Sequence, residues 1–171
     1  MDFKDLVQKR RSIRKFTDEK VTADELHAIL RAGLMAPTGH GLRGWQFVVV
    51  EDPSILSVIS ECREAGSEFV KGAAAAIVVA YDPAASDVWI EDSAIAAVTM
   101  QYQATDLGLG SCWCHIRARK NAEGTPASEI VKKAVGLPEG LEVECVIGIG
   151  HPAIERKLQD ESKLSWASVR K

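Results

Sequence analysis

No apolar run in the 171 residues approaches the roughly 18 needed to cross a bilayer, so no membrane span is expected. The opening MDFKDLVQKRRS lacks the apolar core of a signal peptide. There is no basic excess: 21 Lys and Arg stand against 24 Asp and Glu, which argues against a dedicated nucleic-acid module. Cysteine is scarce and shows no CxxC spacing. Cys112 and Cys114 are too close in sequence to favour a mutual disulfide, so with Cys62 and Cys145 they read as reduced thiols of a cytoplasmic protein. His27, His40, His115 and His151 offer no pair at zinc-ligand spacing, so no metal site is expected. GxSxG is missing, as is any convincing Ser/His/Asp set. If the chain is an enzyme, its side chains do not advertise the chemistry, a pattern that suits a protein whose bound cofactor performs it.

What is present fits one globular domain, 46% hydrophobic and 26% charged. Phe3, Leu6 and Val7 give helical spacing over residues 2–10. Thr22 with Glu25 is a capping box opening a second helix, with Leu26, Ile29, Leu30 and Leu34 as its stripe and Pro37 as its end. WQFVVVED reads as a strand closed by Pro53, and residues 55–63 as a helix. AAAIVVAY, residues 74–81, reads as a buried strand. Residues 88–107 form a helix with no charge from Ser93 to Thr105. Small or apolar on more than one face, it should be covered all round, which suggests a dimer. A strand from Gly108, a helix over 126–134 and a strand LEVECVIGIG follow. The polar tail beyond carries Leu158, Leu164, Trp166 and Val169. Helices and strands mix without strict alternation, which indicates an α+β fold.

KRRSIRK, residues 9–15, holds five cations. It reads as a solvated charge run, a nucleic-acid or heparin patch, or a phosphate site in which Arg10, Ser12 and Arg14 share one side of an extended segment. Gly148-Ile149-Gly150-His151-Pro152-Ala153 matches GxGxxA after a strand, but too little chain follows it here to complete a dinucleotide-binding βαβ unit. Cys112 and Cys114, flanking Trp113, fit core packing better than metal binding.

Four segments together resemble the FMN-dependent nitroreductase family, and its short members most closely. They are KRRSIRKF; APTGHGLRGWQFVVV; EDSAIAAVTMQYQATDLGLGSCW; and VECVIGIGHPAIERK with DESKLSW behind it. The resemblance spans nearly the whole chain. It implies a single domain over residues 1–171, with a mixed central sheet flanked by helices in an intertwined homodimer. The tail, residues 157–171, would pack on the partner subunit. It implies FMN at the dimer interface, with Arg10, Arg11, Ser12 and Arg14 on the phosphate, ribityl chain or pyrimidine edge, and Arg156 or Lys157 reaching the phosphate. The loop of Pro37, Thr38, Gly39, His40, Gly41 and Arg43 would lie against the isoalloxazine from the other subunit. Gly110, Ser111, Trp113, Cys114 and His115 would line the far ring face, one backbone N–H there meeting flavin N5.

The activity so implied is ping-pong hydride transfer from NADH or NADPH to a quinone, nitroaromatic or related acceptor. No side chain would be catalytic. The sequence departs from the family at Gly41, Arg43 and Gly44, where Asn, Gln and Pro are usual, and at Val98-Thr99, where a polar pair is usual. These changes remove amides near flavin or substrate. Arg43 adds a cation suited to an anionic acceptor or to NADPH. A non-enzymatic flavin-binding or storage protein is the alternative.

Overall fold

The computed structural model describes residues 1–170. Its elements are α1 (Phe3–Lys9), α2 (Ala23–Leu34), β1 (Trp45–Val50), α3 (Pro53–Ser60), β2 (Ala75–Tyr81), α4 (Trp89–Asp106), β3 (Gly110–His115), α5 (Ala127–Val135) and β4 (Glu142–Gly150). The capping box forms as expected: Thr22 N–H donates to Glu25 Oε2 at 2.8 Å, and Thr22 Oγ1 accepts from Glu25 N–H at 3.3 Å. Pro53 does not close β1 alone. It is the first residue of α3, where its missing N–H costs nothing, and Asp52 Oδ1 caps the turn from Ser54 N–H at 2.8 Å.

The described strands form one sheet in the order β1-β2-β4-β3, so β4 lies inside it although it follows the other three in sequence. All three ladders are antiparallel. The mixed sheet expected from the resemblance is therefore narrowed to antiparallel ladders plus one parallel bridge, Ser12 to Ser111, on the outer side of β3. Ile13 N–H donates to Ser111 O there at 3.0 Å.

β2 is buried at every position, as its continuous apolar run predicts. Ala75, Ile77 and Val79 face a core shared with Leu26 and Ile29 of α2 and Ala97, Met100 and Ala104 of α4. Ala76, Val78 and Ala80 face a second core with Leu56 and Ile59 of α3 and Val131 of α5. The sheet is thus sandwiched between α2/α4 and α3/α5. Gly33 of α2 lets that helix close on α4, since a Cβ there would meet Met100 Cγ at 2.8 Å.

Between β2 and β4 the register shifts at Val79/Ala80, with Cys145 and Val143 as successive partners, so Glu144 is the extra residue of a bulge. Within the chain, α4 buries the stripe of Ala96, Ala97, Met100 and Ala104 and leaves Ile95 and Val98 exposed. Leu158, Leu164, Trp166 and Val169 of the tail are exposed too. The tail backbone is tied to α1: Gln159 N–H donates to Gln8 O at 3.0 Å, and Gln159 Nε2 to Val7 O at 3.1 Å.

Candidate functional site

After α1 the chain runs extended along β3, so successive side chains alternate. Arg10 and Ser12 turn into a groove of about 570 Å³ also lined by Ala94, Ile95, Val98, Gln101 and Tyr102 of α4 and by Trp113 of β3. The groove thus combines a cation and a hydroxyl with an indole and an aliphatic wall. That combination accommodates a planar ring carrying an anionic group.

Arg11 turns the other way. It lines a separate cavity of about 160 Å³ with Lys9, Ile13, Glu155 and Arg156, and donates to Lys157 O at 2.6 Å. Arg10 and Ser12 thus come together as expected, whereas Arg11 and Arg156 line a different cavity. Arg14 is exposed, and its charge reaches the Cys112 thiol along with that of Arg10.

β3 divides its side chains between the two cores. Gly110 is needed because a Cβ would meet Ile13 Cβ at 2.8 Å. Ser111 Oγ is buried beside the Ser12 bridge, without a hydrogen-bond partner among the described residues. Trp113 stacks on His115 with ring centroids 6.3 Å apart. Cys114 belongs to the opposite core, so it can offer the groove only its backbone. Burial pushes its thiol up to about 11 and that of Cys62 to about 12. Burial raises Cys112 as well, against the pull of Arg14, and Cys145 far more. None of the four has the depressed pKa and exposure of a reactive thiol.

His115 is half-buried, with Nδ1 at 3.7 Å from Glu144 Oε1, while Arg117 Nε lies 2.7 Å from Glu144 Oε2. Burial nonetheless holds the imidazole below the usual histidine value. The attraction of Glu144 is countered by Arg119, Arg117 and Arg63. The bulge places this carboxylate, so sequence alternation gave no sign of it.

The Thr38–Arg43 loop has three residues in the left-handed region, His40 (φ 55°), Gly41 (φ 70°) and Arg43 (φ 49°). Gly39 N–H donates to Asp92 Oδ1 at 2.8 Å, and Tyr81 hydroxyl to Asp92 Oδ2 at 3.1 Å. Pro37, His40, Gly41 and Arg43 are exposed. Sequence reasoning missed Asp92 and Glu144, whose partners are distant in sequence, and did not single out Gln101 and Tyr102. The charge-free stretch of α4 was the available pointer to the latter pair.

The chain is similar to known proteins in sequence and fold. The nitroreductase family model matches residues 7–63 and 56–151. A protein of Archaeoglobus fulgidus bearing the assigned name NADH dehydrogenase/NAD(P)H nitroreductase is 31% identical over 88% of this chain and 86% of its own length. A solved structure named as an FMN-dependent nitroreductase, from Clostridium difficile R20291, is 42% identical, with a TM-score of 0.94 over 97% of this chain and 96% of that one. A second, described as a nitroreductase in complex with FMN, from Desulfovibrio desulfuricans, is 25% identical, with a TM-score of 0.79 over 98% and 95%. The chain belongs to the nitroreductase family.

Proposed function

We propose that this chain is an FMN-dependent oxidoreductase that takes reducing equivalents from NADH or NADPH and passes them to a small acceptor such as a quinone or nitroaromatic. The observation that carries the reading is the groove in which Arg10 and Ser12 meet Trp113 and the aliphatic face of α4. The names of the relatives support FMN as the cofactor.

Bound there, FMN supplies the reversible hydride acceptance that no side chain of the chain offers. The residues of the chain bind and orient. Arg10 and the Ser12 hydroxyl hold the phosphate by charge-assisted hydrogen bonds, and Arg14 adds positive charge near the ring or ribityl chain. Trp113, Ala94, Ile95 and Val98 supply the apolar wall. Gln101 and Tyr102 are the polar groups of α4 that can fix the ring edge. Arg11, which lines the neighbouring cavity with Arg156 and donates to the Lys157 carbonyl, steadies the segment that carries Arg10.

The functional unit is a homodimer. The exposed Ile95 and Val98 of α4 line the groove, and a second copy laid over this face would both cover them and close the site. The partner's copy of the 37–43 loop would complete the ring pocket, and the tail, 157–171, would pack on the partner. No helix among the described residues is long and apolar enough to cross a membrane. The thiols suit the cytoplasm.

The test is purification with a flavin inventory, followed by steady-state oxidation of NADH and NADPH with a quinone. Stoichiometric FMN and parallel double-reciprocal lines are expected. A protein that neither retains nor takes up FMN overturns the reading. FMN retained without turnover replaces it with flavin storage.

A further inference from the structure

Asp92 is only 2% exposed, and among the described residues no cation pairs with it. A buried carboxylate is costly unless its oxygens are satisfied, and here each oxygen accepts one hydrogen bond. Oδ1 takes Gly39 N–H at 2.8 Å and Oδ2 takes Tyr81 hydroxyl at 3.1 Å. Asp92 thereby joins three elements: the first turn of α4, the end of β2 and the loop before β1.

The loop it grips is strained. His40 and Arg43 hold left-handed backbone angles that residues with a Cβ avoid. Such conformations persist only where the surroundings over-determine them, and they cluster at ligand-binding segments. The contacts at both ends supply that constraint. A Cβ on Gly39 would sit 2.5 Å from Val88 Cγ2, and one on Gly44 would sit 2.6 Å from Tyr81 Cε1. The loop is pressed at one end on the start of α4 and at the other on the ring whose hydroxyl Asp92 receives. Between these points His40 and Arg43 are exposed, and neither forms an ion pair among the described residues. In the homodimer proposed above, this loop completes the ring pocket of the partner subunit.

We propose that Asp92 is a positioning residue that holds the Thr38–Arg43 loop in its strained form, so that Arg43 is preset to select acceptors carrying a carboxylate, sulfonate or phosphate. This rests on the flavin oxidoreductase reading above. Preorganisation is the physical gain. An unlatched loop would have to adopt two left-handed residues at each encounter, and that ordering cost would weaken recognition.

The test compares wild type, Asp92→Ala, Asp92→Asn and Tyr81→Phe holoproteins on a matched pair of acceptors, 1,4-naphthoquinone and 1,4-naphthoquinone-2-sulfonate. Hydrogen exchange of the loop amides is followed in the flavin-free proteins. In Asp92→Ala, exchange of the loop should accelerate, and KM for the sulfonate should rise about tenfold more than for the neutral quinone, the worth of one lost hydrogen bond to a charged group. Asn should restore both, since its carbonyl still accepts from Gly39 and its amide can donate to the Tyr81 oxygen. Should Asp92→Ala not fold, Tyr81→Phe must move the KM ratio in the same direction by less. An unchanged ratio with only a lowered melting temperature overturns the proposal, as does Asn behaving like Ala. A wild-type protein devoid of flavin overturns the oxidoreductase reading and this one together. Flavin present with an unmoved ratio overturns this one alone.

Discussion

Arg10 and Arg11 are neighbours in sequence and point into different cavities. Their replacement should therefore have different consequences. Arg10→Ala should weaken FMN binding by about 1.5–3 kcal/mol, the range for a hydrogen bond to a charged group. Arg11→Ala should cost less, because it loses a bond to the Lys157 carbonyl and acts on FMN only through the backbone. Fluorescence titration of the apoproteins reads both, and equal losses would refute the division. His115 makes a pH prediction. Its imidazole is held below the usual value, so the folded protein favours the neutral form. The stability tied to that form is complete above the unfolded value of about 6.5 and is lost as pH falls through the lower folded value. As pH falls below about 6.5, the melting temperature should drop more steeply in wild type than in His115→Gln. The cysteines make a third. With thiols raised by burial, to about 12 at Cys62 and about 11 at Cys114, the native protein should resist maleimide at mildly alkaline pH and react fully once denatured.

At the scale of elements, the α2–α4 contact is set by Gly33, which has no room for a methyl group. Gly33→Ala should destabilise by about 1–3 kcal/mol through overpacking against Met100, despite the better helix propensity of alanine. Urea unfolding measures it, and a stabilised variant would show that the helices can slide apart. Which elements exist was readable in sequence for local reasons. The Thr22/Glu25 box, the apolar run of β2 and the charge-free stretch of α4 each carry their own signal. The Ser12 side of the basic segment was readable too, because strand alternation is local. The remainder was hidden by distance. Asp92 meets Gly39 across 53 positions, and the bulge that aims Glu144 at Arg117 arises only when β4 pairs with β2. The split of Arg11 from Arg10 follows from the alternation that groups Arg10 with Ser12. The density of charge in the basic run concealed it, by suggesting that every cation serves one phosphate.

For the whole molecule, the groove is bounded by α4, β3 and the segment after α1, and one of its walls carries exposed Ile95 and Val98. Covering these residues and closing the flavin site are the same event in the homodimer we propose. Ile95→Glu should therefore yield a monomer in sedimentation velocity and also lose FMN. A monomer retaining flavin at wild-type affinity would separate assembly from cofactor binding.

The strand order has a consequence for synthesis. β4 is made after β1, β2 and β3, yet it sits between β2 and β3. Until the ribosome has released residues 142–150, β2 has β1 on one side and an unpaired apolar edge on the other, and β3 has no strand partner. The segment carrying Arg10 and Ser12 cannot dock either, because its parallel bridge is to Ser111 of that unanchored strand. Until β4 is made the nascent chain therefore carries adhesive strand edges, the condition under which intermolecular pairing competes with folding. The binding groove comes into being only after residues 142–150 are made, when β4 closes the sheet and the segment carrying Arg10 and Ser12 finds its seat.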